Sequence, residues 1–203
     1  MWPPRPIRPG GRAVGWTPAD PGPLGLTAFA TTTFILSMIN ANLVSGTALP
    51  IMLGQALAFG GIAQLVAGIW EFRTGNTFGA VAFCSYGAFW ISFYFVLNSS
   101  VAGIPKAEVG SALGLYLWAW GIFTAYMFIA ALRTNGVVAA VFLLLTITFI
   151  LLGIGNSGGS SSTVHLGGYV ELATAIVAWY GSAAGVISAT WGRAVLPVFP
   201  LNG

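Results

Sequence analysis

Charged side chains are almost missing from this sequence of 203 residues, in which Asp, Glu, Lys and Arg together make up 5%. A water-soluble domain normally carries about a quarter of its residues as these four types, so the composition excludes an ordinary water-facing surface. Apolar residues make up 57% of the chain. The 28 glycines follow no three-residue period, which excludes collagen. Small residues of this kind instead allow helices to approach closely in lipid.

Cysteine and histidine are equally scarce, with one of each. Cys84 lies in an apolar run, so it has no intrachain disulfide partner and we expect it only to pack. His165 precedes the last apolar run, where we expect a solvated loop residue; the alternative is a group that titrates near neutral pH. The sequence shows no metal-spaced cluster, glycine-rich phosphate loop or Ser, His and acid trio. We therefore expect no enzyme, no metal site and no cofactor.

Six long uncharged stretches make up most of the sequence, and each has about the length that a helix needs to cross 30 Å of hydrocarbon. They run from Leu24 to Ser45, Met52 to Trp70, Phe78 to Leu97, Leu113 to Leu132, Val137 to Gly153, and Leu172 to Trp191. Strands of a membrane barrel alternate in polarity over about 10 residues, and these stretches do not. The sequence predicts an all-α membrane protein built as a bundle of six transmembrane helices.

An even number of spans places both termini on one side of the membrane. Lys106 is the one basic residue expected on the opposite side, whereas six arginines share the side of the termini: Arg5, Arg8, Arg12, Arg73, Arg133 and Arg193. This positive-inside bias predicts cytoplasmic termini and a multi-pass protein of the inner membrane. Seven scattered basic residues form no patch of the kind that nucleic acid binding needs.

The chain divides into three expected segments. Residues 1–23 are basic and rich in proline, which predicts an extended cytoplasmic arm. Residues 24–197 form the six-helix transmembrane domain, and 198–203 form a short C-terminal tail. Between the last two spans, the glycine- and serine-rich segment from Asn156 to Thr163 predicts a flexible external loop.

Polar side chains inside a span are costly unless neighbours satisfy them or they line a wet path. Two helix faces carry such groups: Phe29, Thr33, Leu36 and Asn40 in the first span, and Gly60, Gln64, Gly68 and Glu71 in the second. Neutral donors suit a partly dehydrated carboxylate, because they donate hydrogen bonds without a cation that would trap the anion. The alternative is that these groups only form hydrogen bonds between helices, which stabilise the bundle by about 0.6 kcal/mol per bond.

Acidic residues stand at the expected ends of three spans. Glu71 and Arg73 end the second span, where an interfacial ion pair is expected; the alternative is Glu71 as a proton acceptor or gate residue. Glu171 opens the last span, where the helix dipole would stabilise it. Asp20 precedes the first span and is expected to cap it, with Pro21 at the first helical position.

A series of short motifs runs along the chain. The first is DPGPLGL, formed by Asp20, Pro21, Gly22, Pro23, Leu24, Gly25 and Leu26. The others are GGIAQLVAGIWEF (60–72), GNTFG (75–79), SYGAFW (85–90), IGN (154–156), His165 with Gly168, and GRAVLP (192–197). In this order they resemble the acetate uptake transporter family, which includes a bacterial succinate-acetate permease and opens with NPAPLGL. The resemblance covers Asp20 to Pro197.

The resemblance implies six helices around a pore within each protomer, a homohexamer, and proton-coupled transport of acetate and, in some members, succinate. Channel-like anion passage has also been proposed for the family. The resemblance further implies a hydrophobic constriction at Phe29, Tyr86 and Leu145. Together with the polar helix faces, it predicts a substrate path along Thr33, Asn40, Asn42, Gln64, Tyr86 and Asn156. The spans contain no Lys or Arg to hold a second carboxylate, which favours monocarboxylates.

Two residues depart from the family pattern. Asp20 stands where the family has Asn, and it adds a negative charge near an expected anion entrance. Glu171 stands where a small or apolar residue is expected, and it would disfavour anions if it faced a pore. Two alternatives to proton-linked transport therefore stay open. One is a passive channel for anions or small neutral solutes such as ammonia, and the other is a membrane assembly partner without transport activity.

Overall fold

The computed structural model describes residues 18–201. Six helices in this part of the chain are long and apolar enough to cross a membrane: α1 (Gly22–Asn40), α2 (Gly46–Thr74), α3 (Thr77–Asn98), α4 (Val109–Ala131), α5 (Gly136–Ser157) and α6 (Ser161–Trp191). The predicted bundle of six spans is therefore confirmed. Most of the basic arm expected over 1–23 lies outside the described residues, as do residues 202–203 of the expected tail.

The six helices pack in a closed arrangement. Helix α1 lies between α2 and α6, α2 packs on α3, and α6 continues through α5 to α4. Helices α3 and α4 approach each other less closely, and aromatic side chains fill the seam between them. The rings of Phe89 and Tyr116 stack at 5.7 Å, and those of Tyr86 and Phe123 meet edge to face at 5.4 Å. Such ring pairs add about 0.5 to 1.5 kcal/mol beyond area burial.

Glycines bring neighbouring helices into backbone contact. A Cβ atom on Gly68 of α2 would meet the backbone nitrogen of Cys84 in α3, and it would lie 2.6 Å from the Cys84 sulfur. A Cβ atom on Gly168 of α6 would likewise meet the backbone nitrogen of Ala41 at the end of α1. Close approach of this kind replaces the hydrophobic drive that is missing inside lipid. The contact of Cys84 with Gly68 agrees with the packing role predicted for this cysteine.

Helix α2 changes its winding along its length. An α-helical turn over Leu49–Gln55 is followed by a π-helical segment over Ala56–Ala63, and the α-helix resumes at Gln64. Gly60 within the wide segment lies against Thr32 of α1, where an added Cβ would be 2.6 Å from the threonine hydroxyl. π-Helical segments of this kind occur often at functional sites.

The last span begins earlier than the sequence predicts. Helix α6 starts at Ser161 and not at Leu172, because Ser160 caps it: its hydroxyl accepts a hydrogen bond from the backbone N–H of Thr163. Only 158–160 separate α5 from α6. The prediction of a flexible loop from Asn156 to Thr163 is therefore wrong, since most of these residues are helical.

Two further expectations fail with that boundary. His165 lies within α6 and is half-buried, so it is not a solvated loop residue. Glu171 lies well inside α6 and is 4% exposed, so the dipole at the start of the helix does not account for it. The sequence pattern predicts a helix start at Glu171, because a charged residue is costly inside a span. Asn40 of α1 donates a hydrogen bond to Glu171, which allows the acid to lie in the helix interior.

Asp20 acts at the start of α1 much as predicted. Its carboxylate Oδ1 accepts a hydrogen bond of 2.9 Å from the backbone N–H of Gly22, the first helical residue. Pro21 precedes the helix by one position and does not occupy its first turn, which corrects the expected register by one residue. The aspartate thus satisfies one of the four N–H groups that a helix start leaves free.

Replacement of Gly168 by Leu should destabilise the protein by about 1 to 3 kcal/mol, because the new side chain would push α6 away from the backbone of α1. The measurement is the melting temperature of the purified protein in detergent. Gly54→Leu is the matched control, since nothing lies within 4 Å of a Cβ at that position of α2. Equal melting temperatures for the two variants would contradict the close contact of α6 with α1.

Candidate functional site

A cavity of about 480 Å³ lies among the spans at the end of the bundle where α1 begins and α6 ends. Asp20 and Glu71 line its mouth, and Phe29, Tyr86 and Leu145 line its inner end. Phe29 follows the first residue of α1 by about two helical turns, or roughly 10 Å at 1.5 Å per residue. The cavity therefore reaches into the middle of the bundle from the side that carries the termini.

The inner end of the cavity is apolar and tightly packed. Phe29, Tyr86 and Leu145 are 4%, 3% and 4% exposed, and the rings of Phe29 and Tyr86 are 5.7 Å apart. The hydroxyl of Tyr86 forms a hydrogen bond of 2.8 Å with that of Thr124, which fixes the phenol ring against α4. The three residues that the motifs predict as a constriction thus line one cavity.

Phe142 completes this apolar end, and the sequence prediction missed it. Its ring centroid lies 6.0 Å from that of Tyr86 and 5.2 Å from that of Phe78. Phe142 precedes Leu145 by three residues, so both lie on one face of α5. That helical spacing was the signal that would have identified it.

Gln64 brings an amide to the same cavity, at the point where the π-helical segment of α2 ends. The side chain is 1% exposed, and its Oε1 has no hydrogen-bond partner within the protein. A buried polar atom without a partner costs free energy. The amide also carries two N–H donors. The unpaired Oε1 can accept a hydrogen bond from water or from a protonated acid in the cavity, and the amide N–H groups can donate to a carboxylate.

The mouth of the cavity is acidic. Glu71 is 2% exposed, and its carboxylate accepts a hydrogen bond of 2.9 Å from the hydroxyl of Thr74. Arg73 is exposed. Among the described residues the expected ion pair of Glu71 with Arg73 does not form, because the two side chains leave opposite faces of the helix end. The carboxylate of Glu71 instead packs against Gly79, where an added Cβ would lie 2.7 Å from Oε1.

The segment after α6 covers part of the mouth. Three of its residues line the cavity: Ala194, Leu196 and Val198. Backbone hydrogen bonds tie it to the turn before α5, from the N–H of Gly136 to the Phe199 carbonyl at 2.8 Å and from the N–H of Leu201 to the Thr134 carbonyl at 3.0 Å. Sequence reasoning treated 198–203 as a tail and missed this role, which depends on contacts distant along the chain.

The remaining predicted path residues lie away from this cavity. Asn40 and Asn156 lie at the C-terminal ends of α1 and α5, both away from the cavity. The side-chain amide of Asn156 donates a hydrogen bond to the Leu152 carbonyl. Asn42 is exposed in the turn after α1, with φ of 58°. Thr33 is 1% exposed, and its hydroxyl has no hydrogen-bond partner. The structure thus divides the predicted path into a cavity half and an opposite half.

Comparison with known proteins gives a consistent result. The GPR1/FUN34/yaaH family matches residues 8–203. Accumulation of dyads protein 2 of Saccharomyces cerevisiae is 40% identical over 189 residues, which are 90% of this chain and 66% of that protein. Ammonia transport outward protein 2 of the same yeast is 40% identical, over 83% of this chain and 61% of that protein. The chain therefore spans less than two thirds of the length of these yeast relatives.

Bacterial relatives are matched over nearly their full length. The succinate-acetate/proton symporter SatP of Escherichia coli K12 is 39% identical over 180 residues, which are 89% of this chain and 95% of that protein. A solved structure, that of the bacterial acetate channel SatP, superimposes with a TM-score of 0.84 at 38% identity, covering 90% of this chain and 99% of that one. The resemblance drawn from the motifs is confirmed, and the chain belongs to the GPR1/FUN34/yaaH family.

Proposed function

We propose that this protein moves small monocarboxylates such as acetate across the inner membrane, through a path inside each protomer. The observation that carries the proposal is a cavity within one chain that ends on Phe29, Tyr86 and Leu145. Support comes from the likeness to SatP, which is matched over 95% of its length and is named a succinate-acetate/proton symporter. In the part of the chain that the structure describes, six spans are joined by short connections.

The cavity wall suits an anion that must also be released. Among the described residues that line it, none is Lys or Arg, so a carboxylate meets no fixed cation there that would trap it. Gln64 supplies neutral donors from a buried position. The amide of Gln64 can donate to one carboxylate, and no basic residue among the described lining residues is placed to hold a second. We therefore propose monocarboxylates as the preferred substrates.

We propose that Phe29, Tyr86 and Leu145 form the narrowest point of the path. Apolar constrictions restrict passage because ions cross them only after losing water. The hydrogen bond from Tyr86 to Thr124 holds the phenol ring in place, so the width is set by a fixed side chain. Beyond this point the path would continue past Thr33 toward Asn40, Asn42 and Asn156.

The residue that accepts the coupled proton would lie at the acidic mouth of the cavity. Glu71 is a candidate proton acceptor or gate residue because it is buried, lines the cavity and forms a hydrogen bond with Thr74 instead of an ion pair.

We further propose that the protein assembles as a homohexamer, each protomer carrying its own path.

A second candidate function is passive conduction without proton coupling. The solved relative is described as an acetate channel, and a yeast relative is described as an ammonia transport outward protein. An apolar constriction serves a channel as well as a transporter. The two functions differ in one observable property, because only coupled transport accumulates substrate against its gradient.

Reconstituted protein should take up labelled acetate faster than empty liposomes when the external solution is acidified. Coupled transport would raise the internal concentration above the external one, and a proton ionophore would abolish this accumulation. A passive channel would stop at equal concentrations. Uptake that never exceeds that of empty liposomes would overturn carboxylate transport altogether.

Replacement of Tyr86 by Ala should widen the constriction and admit longer carboxylates. We expect the ratio of butyrate to acetate flux to rise by roughly tenfold, the scale on which pockets discriminate a missing methylene or two. Labelled uptake into liposomes measures both rates. Tyr126→Ala is the control, because Tyr126 is exposed on α4 and does not line the cavity. An unchanged ratio in folded Tyr86→Ala protein would remove the constriction from the proposal.

Replacement of Gln64 by Leu should lower acetate flux by about tenfold or more, because a hydrogen bond to a charged ligand contributes about 1.5 to 3 kcal/mol. The same change should leave the melting temperature equal or higher, since it removes a buried oxygen without a partner. Gln55→Leu, in the same span but away from the cavity, should retain its flux. A variant that loses stability while keeping its flux would indicate that Gln64 serves packing alone.

A further inference from the structure

Glu171 is a buried acid that the proposed path does not use. It lies inside α6, is 4% exposed, and its Oε2 accepts a hydrogen bond of 2.8 Å from the side-chain amide of Asn40. One turn earlier in α6, Gly168 touches the backbone of Ala41, so the two helices meet closely beside the pair. The carboxyl group is therefore held against the end of α1 by the amide of Asn40.

The pair lies in line with the proposed constriction. Asn40 follows Phe29 by 11 positions, close to three full turns, so both side chains leave the same face of α1. At 1.5 Å per residue the two positions are about 16 Å apart along the helix. Phe29 lines the inner end of the cavity. Asn40 and Glu171 thus stand on the side of the constriction opposite the cavity.

No opposite charge lies near this acid on the helices that pack against it. Helix α6 contacts α1 and α5, and neither contains an acidic, basic, histidine, tyrosine or cysteine residue. On α6 itself the other titratable residues are His165, Tyr169 and Tyr180, and the first of these is more than one turn away along the helix. Lys106 and Glu108 are exposed in the connection between α3 and α4. A charge inside a membrane protein without such a partner is costly.

We propose that Glu171 and Asn40 form a proton-controlled entry site for monocarboxylates at the external end of the path. This inference rests on the proposed transport function. When Glu171 carries a proton, its O–H and the amide N–H groups of Asn40 offer donors to a carboxylate. When Glu171 is ionised, its negative charge repels the anion, and the same amide is held by the glutamate. The proton remains on Glu171 while the anion passes.

The site predicts that Glu171 contributes a pH dependence of its own, in addition to any that Glu71 contributes. Flux of labelled acetate is measured in liposomes with the same pH on both sides, so that no proton gradient drives it and the orientation of the protein does not matter. The leak through empty liposomes is subtracted. Wild-type flux should fall by up to about tenfold per pH unit above the titration range of Glu171. Glu171→Gln, which stays neutral, should show a clearly shallower fall than wild type, since only the pH dependence that Glu71 contributes would remain.

Glu108→Gln is the matched control, because Glu108 is an exposed acid on the same side of the membrane. It should retain the wild-type pH profile. Asn40→Ala provides a second variant should Glu171→Gln fold poorly. It removes the donor that favours the ionised form, so the pH of half-maximal flux should move upward.

The outcomes separate this inference from the proposed function. A Glu171→Gln profile that falls as steeply as wild type would overturn the entry site while carboxylate transport stands. A wild-type profile that is flat with pH would do the same. Absence of wild-type flux at every pH would overturn the proposed function and the entry site with it.

Discussion

The bilayer tolerates few polar groups without partners, and the structure of this bundle follows from that constraint. Buried threonines show how it is met. Thr32, Thr124, Thr148 and Thr174 each donate a hydrogen bond to the carbonyl four residues earlier in the same helix. Their hydroxyls are thereby satisfied locally, and they can face glycines or other helices at no further cost. These hydroxyls therefore need no partner on another helix or on a ligand.

Against that background, the few buried polar atoms without partners stand out. Among the described residues these are the hydroxyl of Thr33, the Oε1 of Gln64 and the indole nitrogen of Trp90. Gln64 lines the cavity, and Thr33 leaves the same face of α1 as Phe29. Two of the three unpaired groups therefore belong to the face that the proposed path follows. An unpaired acceptor such as Oε1 of Gln64 costs stability in a resting protein, and its position on the cavity wall leaves it open to the O–H of water or of a protonated carboxylic acid.

The sequence identified the spans well because hydropathy and length decide them locally. It failed at α6, where the charge of Glu171 suggested a helix end and the glycine- and serine-rich segment suggested a loop. The stabilising contact with Asn40 joins residues 131 positions apart, and no local pattern shows it. Ser160 was a readable cap, but the run of small polar residues around it concealed the start of the helix.

The candidate site was predicted only in part, because some of its residues belong to local patterns and others are brought together by contacts between distant parts of the chain. Tyr86 and Gln64 lie in recognisable motifs and Phe29 lies three residues beyond one, and the structure places all three on one cavity. The wall formed by the segment after α6 was not predictable, because it depends on backbone pairing of Asn135 with Pro200 across the chain.

The cavity also bears on whether the protein is only an assembly partner. Protein interiors are packed at the density of organic crystals, and lipid offers no reason to keep an unfilled space of about 480 Å³. A scaffold would gain stability by filling it with a larger side chain at a position such as Ala82, which lines it. A small residue at this position preserves the space, and the acids at its mouth and beyond its inner end stand at the two ends of the proposed path. This arrangement favours transport over a purely structural role.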